Sequence, residues 1–151
     1  MSGVRSGFSG VNWAWKRARG YFDMVAYDGG ISSTINHNLG VAPEMLWVKQ
    51  RNGANSWRVF IPSLSGMLKL NESDALDTST VQNLFGNGSS IVAPTTTQFT
   101  VNSGNGNVNG SSKTYIAYLF ATVTGVSKVG SYTGSSSSAV TVDCGFSNGA
   151  S

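Results

Sequence analysis

The sequence has few of the residues that carry covalent cross-links, ion pairs or metal chemistry. It contains one cysteine and one histidine, and only 11% of its residues are charged. A lone cysteine excludes a disulfide framework within the chain, and so small a set of ligands predicts no metal site and no cofactor. No apolar run approaches the roughly 20 residues that cross a bilayer as a helix, so we expect no membrane insertion.

Small polar residues are abundant instead. Gly, Ser, Thr and Asn together supply 67 of the 151 residues, which favours turns and strands over helices. The hydrophobic content of 40%, with 11% aromatic residues, is enough for a packed core. These numbers predict one main β-rich domain rather than a disordered polymer.

Segments rich in β-branched and aromatic residues recur at short intervals, each bounded by Gly, Asn or Pro. The Asp-Gly-Gly turn between residues 21–27 and 31–36 predicts a hairpin, and the Asn-Gly turn between residues 45–49 and 57–61 predicts a second one. Residues 102–112, which hold four Asn and three Gly, predict an exposed loop or hairpin tip.

The strand pattern predicts an all-β fold, namely an antiparallel β-sandwich or jelly-roll-like module of about eight short strands. Side chains that alternate with polar neighbours should form its core. We expect these buried residues to be Tyr21, Val25, Ile35, Leu46, Val48, Val59, Ile116, Tyr118 and Phe120.

The sequence also contains an internal repeat. Residues 15–27 align with residues 120–132 at an offset of 105, with an aromatic residue, a glycine and a closing tyrosine in register. After a two-residue gap, residues 34–39 align with 141–146. The expected organisation is a basic arm and lead-in strand at 1–20, a complete β module at 21–124, and the start of a second, partial repeat at 125–151; we expect the chain to be a fragment of a longer protein.

Positive charge is concentrated near the N-terminus, where Arg5, Lys16, Arg17 and Arg19 precede the first acidic residue, Asp23. Without this cluster the rest of the chain is slightly acidic. A general nucleic-acid binder would carry a basic patch or stripe interleaved with stacking aromatics. Trp13 and Trp15 beside Lys16 and Arg17 imitate this pattern only weakly, so we expect no nucleic-acid partner.

Two sets of residues carry a family resemblance. The first comprises residues 15–18, 20–23, 35–45 and 115–121, and residues 125–128 and 130–134 continue it into the second copy. These segments resemble a repeated domain of uncharacterised function found in tail proteins of marine bacteriophages, especially those that infect cyanobacteria. The resemblance implies a virion protein of β architecture, assembled in the host cytoplasm, and it implies no catalytic residues.

No catalytic constellation is evident, so we expect that the chain is not an enzyme. His37 lacks a nucleophile or fellow ligands, and its ring nitrogens should bond backbone groups at a strand-to-loop corner. Cys144, its counterpart in the repeat, should be a half-buried thiol. Asp74 and Asp77 lie in the only acidic cluster, and they should belong to a solvated loop rather than to a glycosidase.

We therefore expect a tail-fibre or spike module for host-surface adhesion; a head- or tail-surface decoration or adaptor protein and a polysaccharide depolymerase are the alternatives. Its partners should be other virion proteins, a host-surface glycan and copies of itself, by analogy a trimer. The candidate contact residues are Asn105, Asn107, Asn109, Trp47, Trp57, Lys16, Arg17 and Arg19.

Overall fold

A computed structural model describes residues 14–146, and within this range the chain forms seven β-strands and two short 3-10 helices. The strands are β1 (Phe22–Asp28), β2 (Thr34–Asn36), β3 (Met45–Gln50), β4 (Arg58–Ile61), β5 (Gly66–Lys69), β6 (Gln98–Thr100) and β7 (Thr114–Phe120); the 3-10 helices are η1 (Pro62–Leu64) and η2 (Val81–Asn83). The expected all-β class is confirmed, with antiparallel sheets in an arrangement consistent with a β-sandwich.

Five strands form the large sheet in the order β1-β7-β3-β4-β5, and β2 and β6 form the small sheet. The hairpin predicted around the Asn-Gly turn is confirmed as β3 and β4. The hairpin predicted for residues 21–27 and 31–36 is wrong, because β1 pairs with β7 whereas β2 pairs with β6. Its turn leads the chain away from the large sheet, with Gly30 at a φ of +79° and the Gly29 N–H donating to the Lys113 carbonyl.

The core lies between the inner face of the large sheet and a covering layer. On the sheet side, Leu46, Val48 and Leu119 are completely buried. On the covering side, Phe85 stacks on Phe60 with ring centroids 4.7 Å apart. The covering layer consists of the small sheet, η2 and the segment that runs from β6 to β7, and it supplies Ile35, Val81, Leu84, Phe85, Phe99, Val101 and Val108 to the core.

Four of the residues expected in the core are confirmed as buried: Ile35, Leu46, Val48 and Val59. The prediction of which β7 side chains face the core is wrong. The strand fully buries Tyr115, Ala117 and Leu119 instead of Ile116, Tyr118 and Phe120. Five other residues expected in the core are only half-buried: Tyr21, Val25, Ile116, Tyr118 and Phe120. Both faces of β7 are apolar, so alternation alone does not tell which face meets the core.

Residues 102–112 do not form the exposed loop that their composition predicts. Val108, Asn109 and Gly110 are buried beneath the large sheet. The Tyr27 hydroxyl donates to the Val108 carbonyl at 2.7 Å, and the Tyr115 hydroxyl donates to the Gly106 carbonyl at 3.0 Å. The loop is therefore part of the covering layer.

Beyond β7, the described residues 121–146 contain no strand, only an isolated bridge between Val123 and Ser127. The segment that aligns with β1 and β2 is largely exposed here, including Tyr132 at 70%. In the part of the chain that the structure describes, no helix is long and apolar enough to cross a membrane.

Candidate functional site

The outer face of the large sheet carries a cluster of aromatic side chains. Residues paired across antiparallel strands share a face, so the pairing of Phe22 with Phe120 and of Trp47 with Tyr118 places all four on the same side. The rings of Trp47 and Phe120 lie 4.8 Å apart, and those of Phe22 and Phe120 lie 5.2 Å apart. Trp57 adds a ring 5.9 Å from Tyr118. We call these five residues and Trp15 the aromatic face.

Trp15 reaches this face from the segment before β1. Its ring centroid lies 5.7 Å from that of Phe22 and 6.2 Å from that of Tyr118, yet 45% of the residue stays exposed. A shallow cavity of about 320 Å³ adjoins it, and Arg17 and Met24 contribute to its lining. The face thus combines packed rings below with an accessible tryptophan and a cationic side chain at its rim.

A buried carboxylate holds the Trp15 segment in place. Arg17 Nε donates to Asp23 Oδ1 at 2.5 Å, and the Asn38 N–H donates to Asp23 Oδ2 at 2.7 Å. Burial raises the pKa of Asp23, but the hydrogen bonds from Asn38 and Arg17 outweigh it and hold this pKa below its usual range. Asp23 is therefore charged at neutral pH and joins β1, the Trp15 segment and the residues after β2.

Trp57 is fixed through its backbone at the opposite side of the face. Its N–H donates to Asn71 Oδ1 at 2.9 Å, and its carbonyl accepts the Leu70 N–H at 3.3 Å. Trp47 is half-buried in the middle, and its indole N–H is buried without a hydrogen-bond partner among the described residues. The two tryptophans expected as contact residues therefore lie on one surface.

The three basic contact candidates lie along the Trp15 segment. Lys16 and Arg19 are exposed, and neither forms a salt bridge with any residue in the range 14–146. The Arg19 guanidinium lies over Gly40, where an added Cβ would be 3.0 Å from its Nε. Arg17 is committed to Asp23, so Lys16 and Arg19 are the charges of this segment that form no salt bridge, Lys16 next to Trp15 in sequence and Arg19 at Gly40.

The asparagine candidates lie elsewhere, on the covering layer of the inner face. The prediction that Asn109 is a surface contact is wrong, because this residue is 1% exposed and its side chain forms hydrogen bonds within the fold. Its Oδ1 accepts the Gly30 N–H at 2.9 Å and its Nδ2 donates to the Ser32 carbonyl at 3.1 Å. Asn105 donates to the Asn83 carbonyl and accepts the Asn107 N–H, so it too stabilises the loop.

His37 occupies the structural role that its isolation predicts. Its Nε2 donates to the Thr95 carbonyl, and its Nδ1 accepts the Leu39 N–H, both at 3.2 Å. The expectation that both nitrogens bond backbone groups at a corner is confirmed. Burial lowers the pKa of His37 despite the opposing hydrogen bond to Thr95 and the charge of Asp23, so the ring is neutral near pH 7. Cys144 is confirmed as a half-buried free thiol.

The acidic cluster is engaged within its own loop. Lys69 Nζ donates to Glu72 Oε2 at 2.6 Å and to Asp74 Oδ2 at 2.7 Å. Hydrogen bonds that the hydroxyl and the backbone N–H of Thr80 donate to the Asp77 carboxylate are the main cause that lowers its pKa to about 2. A general acid must be protonated at the working pH, so Asp77 is unsuited to that role. Among residues 14–146 no group of three or more His, Cys, Asp or Glu side chains could hold a metal ion.

Sequence reasoning missed most of the aromatic face. Tyr118 and Phe120 were expected in the core, whereas Trp15 and Phe22 were given no role. A detectable signal was present, since two tryptophans and three other aromatics occur in segments that predict strands. The pairing that brings them together is non-local and is not encoded in any single segment.

Comparison with known proteins identifies a family but no characterised relative. No curated protein and no solved structure matches the chain. One family model matches residues 16–148, a range that begins within the basic arm and extends through most of the segment that repeats β1 and β2. The chain therefore belongs to the family described as a domain of unknown function (DUF7483).

Proposed function

We propose that this protein is a non-enzymatic module of a bacteriophage virion, part of a tail fibre or spike, that attaches to glycans on the host surface. The observation that carries the proposal is the aromatic face, a set of six aromatic side chains on a sheet surface that no other element of the described chain covers completely. The virion assignment rests on the resemblance of the sequence to phage tail proteins.

Glycan binding suits the chemistry of this face. The C–H groups on one side of a hexose ring form an apolar patch that packs on aromatic rings, while its hydroxyl groups need polar partners at the rim. Trp15 and Trp57 supply rings at two sides of the face. Lys16 and Arg19 supply exposed cationic donors near Trp15.

The rings are also held before any ligand arrives. Trp57 is bonded through its backbone to Asn71 and Leu70, and the Trp15 segment is tied down by Arg17 and Asp23. A preorganised surface loses little side-chain entropy on binding, which favours affinity from a small contact area. Repetition of the module in a homo-oligomer, by analogy a trimer, would multiply a weak affinity through avidity.

A second function, as a decoration or adaptor protein on the head or tail surface, is favoured by the same N-terminal segment. Lys16 and Arg19 are exposed cations next to an exposed Trp15. A tryptophan flanked by basic residues is also the composition of a protein–protein hot spot. In that case the partner is another virion protein with an acidic surface.

Binding of bead-displayed protein to an array of bacterial surface polysaccharides tests the proposal. The variants are Trp57→Ala and Trp15→Ala, and Tyr132→Ala is the matched control because Tyr132 is an exposed aromatic outside the aromatic face. We expect both tryptophan variants to lose at least about tenfold in binding while the control keeps it. Equal binding by all three variants, or no binding of the wild type to any polysaccharide, would refute glycan attachment.

A further inference from the structure

A polar cavity on the other side of the large sheet is lined by an arginine that forms no salt bridge with the residues the structure describes. Arg58 of β4 pairs with Lys69 of β5, so two cations lie directly opposite each other on adjacent antiparallel strands. Like charges in this position repel and destabilise the sheet unless anions neutralise them. Both side chains line a cavity of about 390 Å³.

The two cations differ in their ion pairs. Lys69 is neutralised by Glu72 and Asp74, with distances of 2.6 Å and 2.7 Å from its Nζ. Arg58 forms no salt bridge with any residue of the described range, and its Nη2 donates to the Asn107 side-chain oxygen at 3.0 Å. Its Nε is buried without a hydrogen-bond partner there. A half-buried guanidinium with donors left over is a costly arrangement in a fold.

Two carboxylates line the cavity, and neither pairs with Arg58. Asp74 binds Lys69. Asp77 lines the same cavity, but its two oxygens accept hydrogen bonds from the backbone and hydroxyl groups of Ser79 and Thr80. The wall that carries Asp77 is fixed to β5, since Met67 and Asp77 exchange two backbone hydrogen bonds of 2.9 Å. The cavity wall is therefore fixed, Asp77 is engaged by its own loop and Asp74 by Lys69, and Arg58 is left without a carboxylate partner.

We propose that this cavity binds the carboxylate of a sugar acid through Arg58. The planar guanidinium matches a carboxylate in shape and charge. The remaining lining offers oxygen acceptors, on Asp74, Thr80 and Asn107, to the hydroxyl groups of a saccharide. A cavity of this volume is within the usual range for small-molecule sites. The site is separate from the aromatic face, because Arg58 and Trp57 are neighbours in sequence whose side chains lie on opposite sides of the sheet.

Titration of the full chain with D-glucuronate, followed by ¹H–¹⁵N spectra, tests the inference. We expect shifts of the Arg58 Nε signal and of the amides of residues 58, 69, 77 and 107. D-glucose and acetate should bind at least about tenfold more weakly, since one lacks the charge and the other the hydroxyl groups. Arg58→Gln should lose at least about tenfold in glucuronate affinity and Arg58→Lys should lose less, with Tyr132→Ala as the unaffected control.

Three results would overturn the inference. In the first, glucuronate causes no shifts around Arg58 in wild-type protein. Acetate or phosphate that bound as tightly as glucuronate would refute the sugar-acid class. Shifts confined to Trp15 and Trp57 would assign the acid to the aromatic face, which would leave the glycan proposal standing and remove this one. Thermal unfolding of both Arg58 variants distinguishes a loss of the site from a loss of the fold.

Discussion

The two faces of the large sheet are built from the same strands but meet different surroundings. On β7, Tyr115, Ala117 and Leu119 are completely buried, whereas Ile116, Tyr118 and Phe120 between them are only half-buried. The inner face is covered by the small sheet, η2 and the loop before β7, whereas the outer face is covered in part by Trp15. Apolar character alone therefore does not distinguish core from binding surface in this protein.

The difference indicates where stability and function reside. An apolar side chain on the inner face contributes mainly to folding, because its removal leaves a cavity in a close-packed interior. Apart from Phe22, which is 3% exposed, the rings of the outer face keep part of their surface in water, so they contribute less to folding and stay available to a partner. The following variants test this division, from the largest expected effect to the smallest.

Neighbouring residues of β7 provide the most direct test. Leu119→Ala should lower the free energy of unfolding by about 2–5 kcal/mol, as large-to-small changes at fully buried positions do. Tyr118→Ala should lower it by about 1–2 kcal/mol, since the residue is half-buried but packs against Trp15, Trp47 and Trp57. Urea unfolding measures both values. Equal losses for the two variants would contradict the division between the faces.

The covering layer can be weakened without changing the sheet itself. Asn109→Ala removes the amide that joins the loop before β7 to Gly30 and Ser32. The Gly30 N–H and the Ser32 carbonyl would lose their side-chain partner, and a void would remain where the 1% exposed Asn109 amide was, at a cost of about 1–3 kcal/mol in unfolding free energy. Amide hydrogen exchange should rise first around residues 29–33 and 105–110. Asn105→Ala is the control, since Asn105 is less buried, and a larger effect there would contradict this account.

A third variant detaches the Trp15 segment from the outer face. Asp23→Asn removes the charge that Arg17 and the Asn38 N–H bind, and it should cost about 1–2 kcal/mol because Arg17 is half exposed. The pKa of Asp23 is lowered in the folded state, so its stabilisation is complete above the unfolded value of about 4 and is lost as the pH falls through the folded value.

The measurement for this variant is Trp fluorescence together with unfolding free energy between pH 7 and pH 2. Wild-type protein should lose stability on acidification below about pH 4 more steeply than Asp23→Asn. Parallel pH profiles for the two proteins would show that Asp23 does not provide the anchor. Arg17→Gln is the matched control, since it breaks the same contact and leaves the Asp23 carboxylate in place.

The parts of the fold that local sequence encodes were predictable. The β3–β4 hairpin follows from an Asn-Gly turn between two apolar segments, and β5 follows directly after it. The pairings of β1 with β7 and of β2 with β6 join residues more than 60 positions apart, where no turn specifies the partner. The predicted hairpin at Gly29 and Gly30 failed for this reason.

The candidate site was predictable in composition but not in placement. Trp47 and Trp57 were predicted as contacts because they belong to the predicted second hairpin and could stack on sugar rings. Trp15 gained its role only from a tertiary contact with Phe22 and Tyr118. Asn109 belongs to a segment whose composition is that of a solvated loop. Its burial depends on hydrogen bonds to Gly30 and Ser32, which are distant in sequence.

His37 provides the mildest test of the covering layer. Burial lowers its pKa in the folded state, so protonation favours the unfolded chain, and the stabilisation is complete above the unfolded pKa of about 6.5 and declines as the pH falls from there towards the folded value. Because it is the only histidine, its ring signals can be followed by NMR without ambiguity. We expect a titration midpoint below 6.5 and, in unfolding measurements, a decline in stability below that pH that His37→Gln lacks. A midpoint at or above 6.5 would mean that the corner between Thr95 and Leu39 is open to solvent. The covering layer would then exclude water from the inner face less completely than the structure shows.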